Sequence, residues 1–288
     1  MDLTFLVQMI LNGLSFGALL FLMASGFTVV FGLMRVANLA HGAFYLVGAY
    51  VAVALVAVTH NFWLGAIAGA ATAAVLGAST ELGLLRRVRN LEMPEVLLTV
   101  GVLFVISDLV LAFFGGTPQS MPAATGVPSG VVQLGGVVYP AYRLFVIGVT
   151  VLIGAILFLL QRYTRVGAIV RAGVDDRETA VAMGINIDRV FTGVFLFGTA
   201  LAGLAGAIGA GLLSLSPGTG IEILLYAMVV VIIGGLGSIQ GAAIGAVLIG
   251  LIDAFAKVWV PDLSYFTIFA PMALVLVLRP NGLFGRAI

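Results

Sequence analysis

The sequence lacks cysteine and has little histidine and little charge. With no cysteine among its 288 residues, disulfides and thiolate metal sites are excluded. The two histidines, His41 and His60, are far apart in the chain, so we expect no metal centre. Only 9% of the residues are charged, whereas soluble domains carry about a quarter. The net charge is +1 and the basic residues lie in loops rather than in a patch, so we expect no nucleic-acid partner. We expect no catalytic site either.

Apolar residues take the place of the missing charge. They make up 62% of the chain, whose mean hydropathy is +1.23. A bilayer core about 30 Å thick needs roughly 20 apolar residues per spanning helix. Nine such segments are visible, at 4–32, 36–58, 62–85, 95–114, 143–161, 190–216, 221–238, 241–260 and 264–279. We predict an all-α, polytopic membrane bundle of eight to ten segments, forming one domain over 1–288 without a cleavable signal.

Arginines set the predicted orientation, because basic residues concentrate in cytoplasmic loops. All but Arg35 and Arg143 fall in three regions that lie on one side when the segments alternate, namely 86–89, 162–189 and 279–286, and Arg35 fits the same side. The N-terminus is then extracytoplasmic. The uncharged loop at 115–142 is extracytoplasmic as well, and the loop at 162–190 is cytoplasmic.

Two junctions between apolar segments look alike. Residues 31–50 (FGLMRVANLAHGAFYLVGAY) and 233–250 (IGGLGSIQGAAIGAVLIG) each combine a glycine-containing break, a short polar patch and a helix of small residues. Paired breaks of this kind often mark internal repeats and the central pathway of a transporter. The pattern therefore indicates interrupted or re-entrant helices, and two ordinary tight turns are the alternative.

Polar residues inside apolar segments are candidates for a translocation path, because they are costly in lipid. Asn38 and His41 share a helix face beside Gly42, and they either line the path or satisfy backbone groups freed by the break. Asp108 is either a path residue or a packing partner. The four-residue spacing of Asp253 and Lys257 predicts an intrahelical ion pair. The motifs of intramembrane aspartyl proteases are absent around both aspartates.

The densest charge lies in the cytoplasmic loop, in RAGVDDRETAVAMGINIDR at 171–189. Residues 174–183 are predicted to form a short helix, capped by Asp175 or Asp176 and ended by Gly184. No nucleotide-binding loop of the Gly-x4-Gly-Lys-Ser/Thr type occurs in the sequence. Any ATP that drives this protein must therefore be bound by another chain.

This stretch resembles the cytoplasmic coupling loop of bacterial ABC importer permeases, and more narrowly of the branched-chain amino acid (Liv-type) group. Further similar stretches are NGLSFGALLFLMASGFTVVFG, VANLAHGAFYLVGAY, FLFGTALAGLAGAIGAGL, GGLGSIQGAAIGAVLIG and LRPNGLFG, so the resemblance covers nearly the whole chain. The sequence has Arg-Glu-Thr-Ala where the generic loop has a glutamate and two alanines. The resemblance implies that the ATPase-coupling residues are Arg171, Asp175, Glu178, Ala180, Gly184 and Ile185. Glu178 and Arg171 would orient the helix through polar contacts, or else pair only within the loop.

The resemblance also implies the partners. These are a second homologous permease, two ATP-binding cassette subunits that bind the ATP, and an extracytoplasmic binding protein. The predicted topology alone places the dock of the binding protein near 115–142 and 216–218. The expected location is the bacterial inner membrane, and the expected substrate is a small amino acid, leucine, isoleucine or valine by default. Urea, short amides and other small polar solutes stay open, and an ATP-independent carrier or channel is the alternative of another class.

Overall fold

The computed structural model of the chain describes residues 3–34, 38–89, 91–175 and 177–285. Within these residues, seven helices are long and apolar enough to cross a membrane, and two further apolar helices, Thr219–Gly234 and Phe266–Leu278, are shorter. The all-α, polytopic prediction is confirmed. The nine apolar segments of the sequence correspond to these seven helices of spanning length and two shorter ones.

The helices follow one another along the chain, with a long connection between α5 and α6. Their bounds are α1 Leu3–Met34, α2 His41–Thr59, α3 Phe62–Thr80, α4 Arg86–Val88, α5 Glu92–Phe114, α6 Ala141–Tyr163, α7 Arg165–Asp175, α8 Arg177–Ala182, α9 Ile187–Gly209, α10 Thr219–Gly234, α11 Ile239–Trp259 and α12 Ser264–Leu278. A π-helical turn at Glu81–Leu85 joins α3 to α4, and a 3₁₀ turn at Pro261–Leu263 precedes α12.

Helix α9 lies at the centre of the bundle, because it packs against α1, α2 and α3, while α1 packs along α11. Glycine makes these contacts close. A Cβ atom added to Gly13 would lie 2.9 Å from the carbonyl oxygen of Gly250, and one added to Gly17 would lie 2.6 Å from that of Ala246. Small residues allow such close approach between membrane helices, where lipid offers no hydrophobic drive to association.

The predicted extracytoplasmic loop at 115–142 contains structure that the sequence did not reveal. Two antiparallel strands, β1 Val131–Leu134 and β2 Val137–Pro140, pair through a turn whose Gly135 and Gly136 have φ of 55° and 92°. Such a two-residue turn requires positive φ at both positions, which glycine adopts without steric cost. The hairpin is tied to the bundle, since the Tyr139 hydroxyl lies 3.0 Å from Ser15 Oγ and donates to Asn12.

The rest of that loop is also anchored. The backbones of Gln119 and Leu215 exchange two hydrogen bonds of 2.9 and 2.7 Å, and Thr125 donates its N–H to the carbonyl of His60 at 2.7 Å. The loop therefore covers the ends of α2 and α9 as a packed layer.

Candidate functional site

The loop at 162–190, which is predicted to be cytoplasmic, carries more helix than expected. Helix α7 is amphipathic and precedes α8, so Val174 and Asp175 belong to the end of α7 and not to the start of the charged helix. Asp176, the alternative cap, lies outside the described residues. Together α7, α8 and the turn at Gly184 are called the cytoplasmic segment below.

Gly184 ends α8 as predicted. Its φ of +82° is left-handed, its N–H donates to the carbonyl of Val181 at 2.9 Å, and the N–H of Ile185 donates to that of Ala180 at 3.1 Å. This is the hydrogen-bond pattern of a Schellman C-cap, which places glycine at the left-handed position.

A small hydrophobic cluster fixes the cytoplasmic segment to the start of α9. Its buried members are Ala180, Ile187, Phe191 and Val194, and its partly buried members are Val29, Val170, Ala172, Ile185 and Val190. Ala180 and Ile185 thus pack against their own chain. Among the described residues of the cytoplasmic segment, the exposed large apolar side chains are instead Val166, Val181 and Met183, which are 67%, 54% and 78% exposed. The sequence analysis did not single them out.

The remaining predicted coupling residues are placed as follows. Arg171 donates a hydrogen bond to the carbonyl of Gln161 near the end of α6, so it joins the cytoplasmic segment to that helix. Glu178 lies in α8 and Asp175 ends α7, but their side chains lie outside the described ones.

A buried ion network lies beside the cytoplasmic segment, and the sequence analysis missed it. Arg89 contacts the carboxylates of Glu81 and Asp188, and its guanidinium lies 4.6 Å from the centre of the Phe191 ring. Thr192 donates to the second Glu81 oxygen at 2.8 Å. The Glu81 side chain is fully buried, that of Arg89 is 9% exposed and that of Asp188 is 48% exposed. Glu81 falls inside an apolar segment of the sequence, which is the signal that could have revealed it.

The first glycine-containing break brings Asn38, His41 and Gly42 into the protein interior. Asn38 Oδ1 accepts from the N–H of Ala40 at 3.1 Å, and thereby satisfies a backbone group at the break. His41 is fully buried beside Gly26, with its ring 5.8 Å from that of Phe27. The carbonyl of Met23 lies near the ring, but neither ring nitrogen makes a well-formed hydrogen bond to a described residue. Arg35 lies outside the described residues.

Gly42 serves close packing in this structure. A Cβ atom there would lie 2.5 Å from the carbonyl oxygen of Gly220 at the start of α10. The second break, after α10, has Gly235 and Gly237 at φ of 101° and 80°, and Ser238 then caps α11 by accepting from the N–H of Gly241 at 3.0 Å.

The two similar junctions lie next to each other. A Cβ atom on Gly32 would lie 3.5 Å from the Cα atom of Gly237. The C-terminal stretch closes over the second break, because Leu283 and Phe284 donate backbone hydrogen bonds to Ile233 and Gly234.

The two aspartates of the membrane helices have different surroundings. Asp253 is buried and pairs with Lys257 Nζ at 2.7 Å, which confirms the predicted intrahelical ion pair. Asp108 is exposed on α5 and makes no hydrogen bond or ion pair with another residue that the structure describes. α5 and α6 are the least buried of the long helices. Only 22% and 17% of their most apolar 18-residue stretches are buried in the protein.

Comparison with known proteins gives a consistent result. The profile of the family described as "Branched-chain amino acid transport system / permease component" matches residues 9–278. The permease protein LivH of a high-affinity branched-chain amino acid transport system in Escherichia coli (strain K12) is 28% identical over 98% of this chain and 96% of its own length. The corresponding protein BraD of Pseudomonas aeruginosa is 29% identical over 97% and 96%.

More distant relatives are also found. A probable branched-chain amino acid transport permease protein LivH of Methanocaldococcus jannaschii is 27% identical over 96% of this chain and 92% of its own length. A xylose/arabinose import permease protein XylH of Sulfolobus acidocaldarius is 28% identical, but over only 62% of this chain and 51% of its own length. No solved structure matches the chain.

Proposed function

Because the chain belongs to the family of branched-chain amino acid transport permeases, we propose that it forms half of the translocation path of an ABC importer for a small amino acid, a branched-chain one in the first instance. It is a multi-pass protein of the inner membrane and an ABC transporter permease. The proposal extends to its partners: a second permease, two ATPase subunits that bind the ATP, and an extracytoplasmic binding protein. The chain itself holds no cofactor and catalyses no reaction in this scheme.

The observation that carries the proposal is the family match from residue 9 to 278, together with relatives that align over nearly their whole length. The shorter alignment with the sugar permease does not favour a sugar substrate, since it leaves over a third of this chain unmatched.

The cytoplasmic segment supports coupling to separate ATPase subunits. It lies at the end of the bundle that carries the arginines, and it is fixed to α9 by the hydrophobic cluster around Phe191. Val181 and Met183 point outward and supply apolar contact for an ATPase groove. Displacement of the segment by ATP-driven closure would then move α9, because the hydrophobic cluster joins the two. The buried ion network in turn ties α9 to the end of α3.

The exposed Asp108 supports a second permease on the α5 side. A carboxylate facing lipid costs about 2.5–3.5 kcal/mol on insertion scales, so this face is expected to meet protein or a water-filled path instead. The low burial of α5 and α6 agrees with a missing neighbour there. The candidate path residues Asn38, His41 and Gly42 are buried, inward of that face. In this proposal they shape the inside of the translocation path and do not contact solute at an open surface.

The test is co-purification followed by reconstitution. The chain is tagged, the membranes are solubilised gently, and the co-purifying proteins are identified by mass spectrometry. We expect two ATPases carrying nucleotide-binding loops and a related permease, and ATP-dependent leucine uptake after reconstitution with the binding protein. Recovery of the chain alone, with solute flux in the absence of ATP, would establish a carrier or channel and overturn the proposal.

The Asp108 face is tested in the same preparation. Asp108→Leu should reduce recovery of the second permease or the rate of uptake, because it removes a polar group from that contact or path. Leu109→Ala, at the neighbouring exposed position, is the matched control. Unchanged assembly and uptake in Asp108→Leu would place this face against lipid.

A further inference from the structure

A polar pocket lies at the end of the bundle opposite the cytoplasmic segment. It is formed where α10 begins and α11 ends, with α1 and α12 as neighbours, and its volume is about 160 Å³. By the arginine-based orientation it opens on the extracytoplasmic side, where a binding protein would release its cargo. Pockets for drug-sized ligands measure roughly 300–1,000 Å³, so this one suits a smaller solute.

Three charged side chains line the pocket. Asp253 is 4% exposed and pairs with Lys257, whose ε-ammonium lies 2.7 Å from it and 5.1 Å from the centre of the Phe16 ring. Glu222, in the first turn of α10, is exposed and accepts a hydrogen bond from the Tyr226 hydroxyl at 3.2 Å. With two carboxylates and one ammonium, the pocket carries one negative charge more than positive.

A purely structural role explains only part of this arrangement. Lysine near a helix end extends its ammonium toward the membrane surface, and a neighbouring aspartate neutralises it. That account covers Asp253 and Lys257 but not Glu222, which adds a second carboxylate to the same pocket. A cationic group between the carboxylates would balance the charge, while the outward-facing ammonium of Lys257, with a side chain 59% exposed, stays available to an anion.

The apolar lining completes the pattern. Ile223 and Ile268 are 2% and 1% exposed and face the pocket, together with Phe16. The pocket thus offers carboxylates, an ammonium and an aliphatic wall within one small volume. These are the features that a free aliphatic α-amino acid presents in complementary form.

Resting on the proposed function, we infer that this pocket binds an aliphatic amino acid zwitterion within the permease itself. The ammonium of the solute is held by Glu222 and Asp253, its carboxylate by Lys257, and its side chain by Ile223, Ile268 and Phe16. The permease therefore contributes to selection after the binding protein has released the solute.

The experiment uses the purified, intact transporter complex without its binding protein. Thermal stability is followed as L-leucine is added, with isoamylamine, 4-methylpentanoate and leucinol as analogues that lack one or other charged group. We expect L-leucine to stabilise the complex and the three analogues to require at least about tenfold higher concentrations, because each loses a charge-assisted hydrogen bond.

Variants locate the effect. Glu222→Gln and Lys257→Met should each raise the half-maximal leucine concentration by about ten- to a hundredfold. Asp262→Asn, which removes a carboxylate on the same side but outside the pocket, is the matched control and should leave it unchanged. Stimulation of ATP hydrolysis by the loaded binding protein shows that each variant is folded and assembled.

The outcomes separate this inference from the proposed function. A complex that assembles and takes up leucine, yet shows no leucine-dependent stabilisation or is unaffected by Glu222→Gln, overturns the inference alone. Stabilisation equal for leucine and isoamylamine would show an amine site rather than a zwitterion site, and also overturns it. Absence of ATPase partners would instead overturn the proposed function.

Discussion

Replacing Arg89 by methionine tests whether the cytoplasmic end of the bundle depends on its buried ion network. The change removes the cation from Glu81, whose side chain is fully buried, and leaves that carboxylate with only the Thr192 hydroxyl. Breaking a buried ion pair by removing one partner costs about 3–5 kcal/mol, because the remaining charge stays desolvated. Arg89→Met should therefore destabilise the protein by about that amount. Asp188→Asn should cost less than about 1 kcal/mol, because the Asp188 side chain is 48% exposed.

The assay is denaturant or thermal unfolding of the purified protein in detergent, with the double variant Glu81→Gln/Arg89→Met as the decisive comparison. Removing both charges should restore most of the stability lost in Arg89→Met, since a neutral pair leaves no buried charge. If Arg89→Met and Asp188→Asn are equally mild, or if the double variant is no better than Arg89→Met, the reasoning from burial is refuted.

Further predictions concern glycines. Gly48→Leu should abolish recovery of monodisperse protein in size-exclusion chromatography, because its added side chain would collide with the backbone of α9, whereas Gly101→Ala, where nothing lies within 4 Å, should be tolerated. Gly184→Pro should lower leucine uptake but leave ATP hydrolysis and the melting temperature unchanged. Proline can neither adopt a φ of +82° nor donate the hydrogen bond to the end of α8. Normal uptake would contradict this prediction. Replacing Gly135 and Gly136 by alanine should cost about 1–2 kcal/mol at each position, seen as faster proteolysis of the hairpin; unchanged cleavage would contradict it.

The membrane helices were predictable because the bilayer imposes a simple rule on composition. Each apolar segment of the sequence lies within a few residues of a helix, from α1 at Leu3–Met34 to α12 at Ser264–Leu278. Glycines four residues apart also mark contacts between helices: Gly13 and Gly17, Gly65 and Gly69, and Gly241 and Gly245 all lie at close backbone approaches. The apolar segments and the glycine spacings both depend on residues within one helix or on the neighbouring helix that it touches. The spacing along the chain therefore determines which residues are adjacent.

The features that escaped prediction depend on contacts between distant parts of the chain. Strands Val131–Leu134 and Val137–Pro140 are too short to give a strong pattern, and they are held by Ser15 and Asn12 far away in sequence. The network of Glu81, Arg89 and Asp188 joins the end of α3 and the turn after α4 to the start of α9, through side chains that spacing alone cannot pair. Glu222 and Asp253 likewise line the same pocket only because α10 packs beside α11.

Helix α9 offers a physical route between the two ends of the molecule. It begins in the hydrophobic cluster of the cytoplasmic segment, at Ile187 and Phe191, and the residues that follow it, Leu213 and Ser214, line the extracytoplasmic pocket. It approaches α3 closely at Gly203 and α2 at Gly206, and its Phe195 ring lies edge-on 6.2 Å from that of Phe44 in α2. A push on the cytoplasmic segment would therefore be carried along one continuous helix to the pocket wall. On this reasoning, ATP should change the affinity of the pocket for leucine, and leucine should change the affinity of the complex for ATP by the same factor, since coupling between two sites is reciprocal in binding free energy.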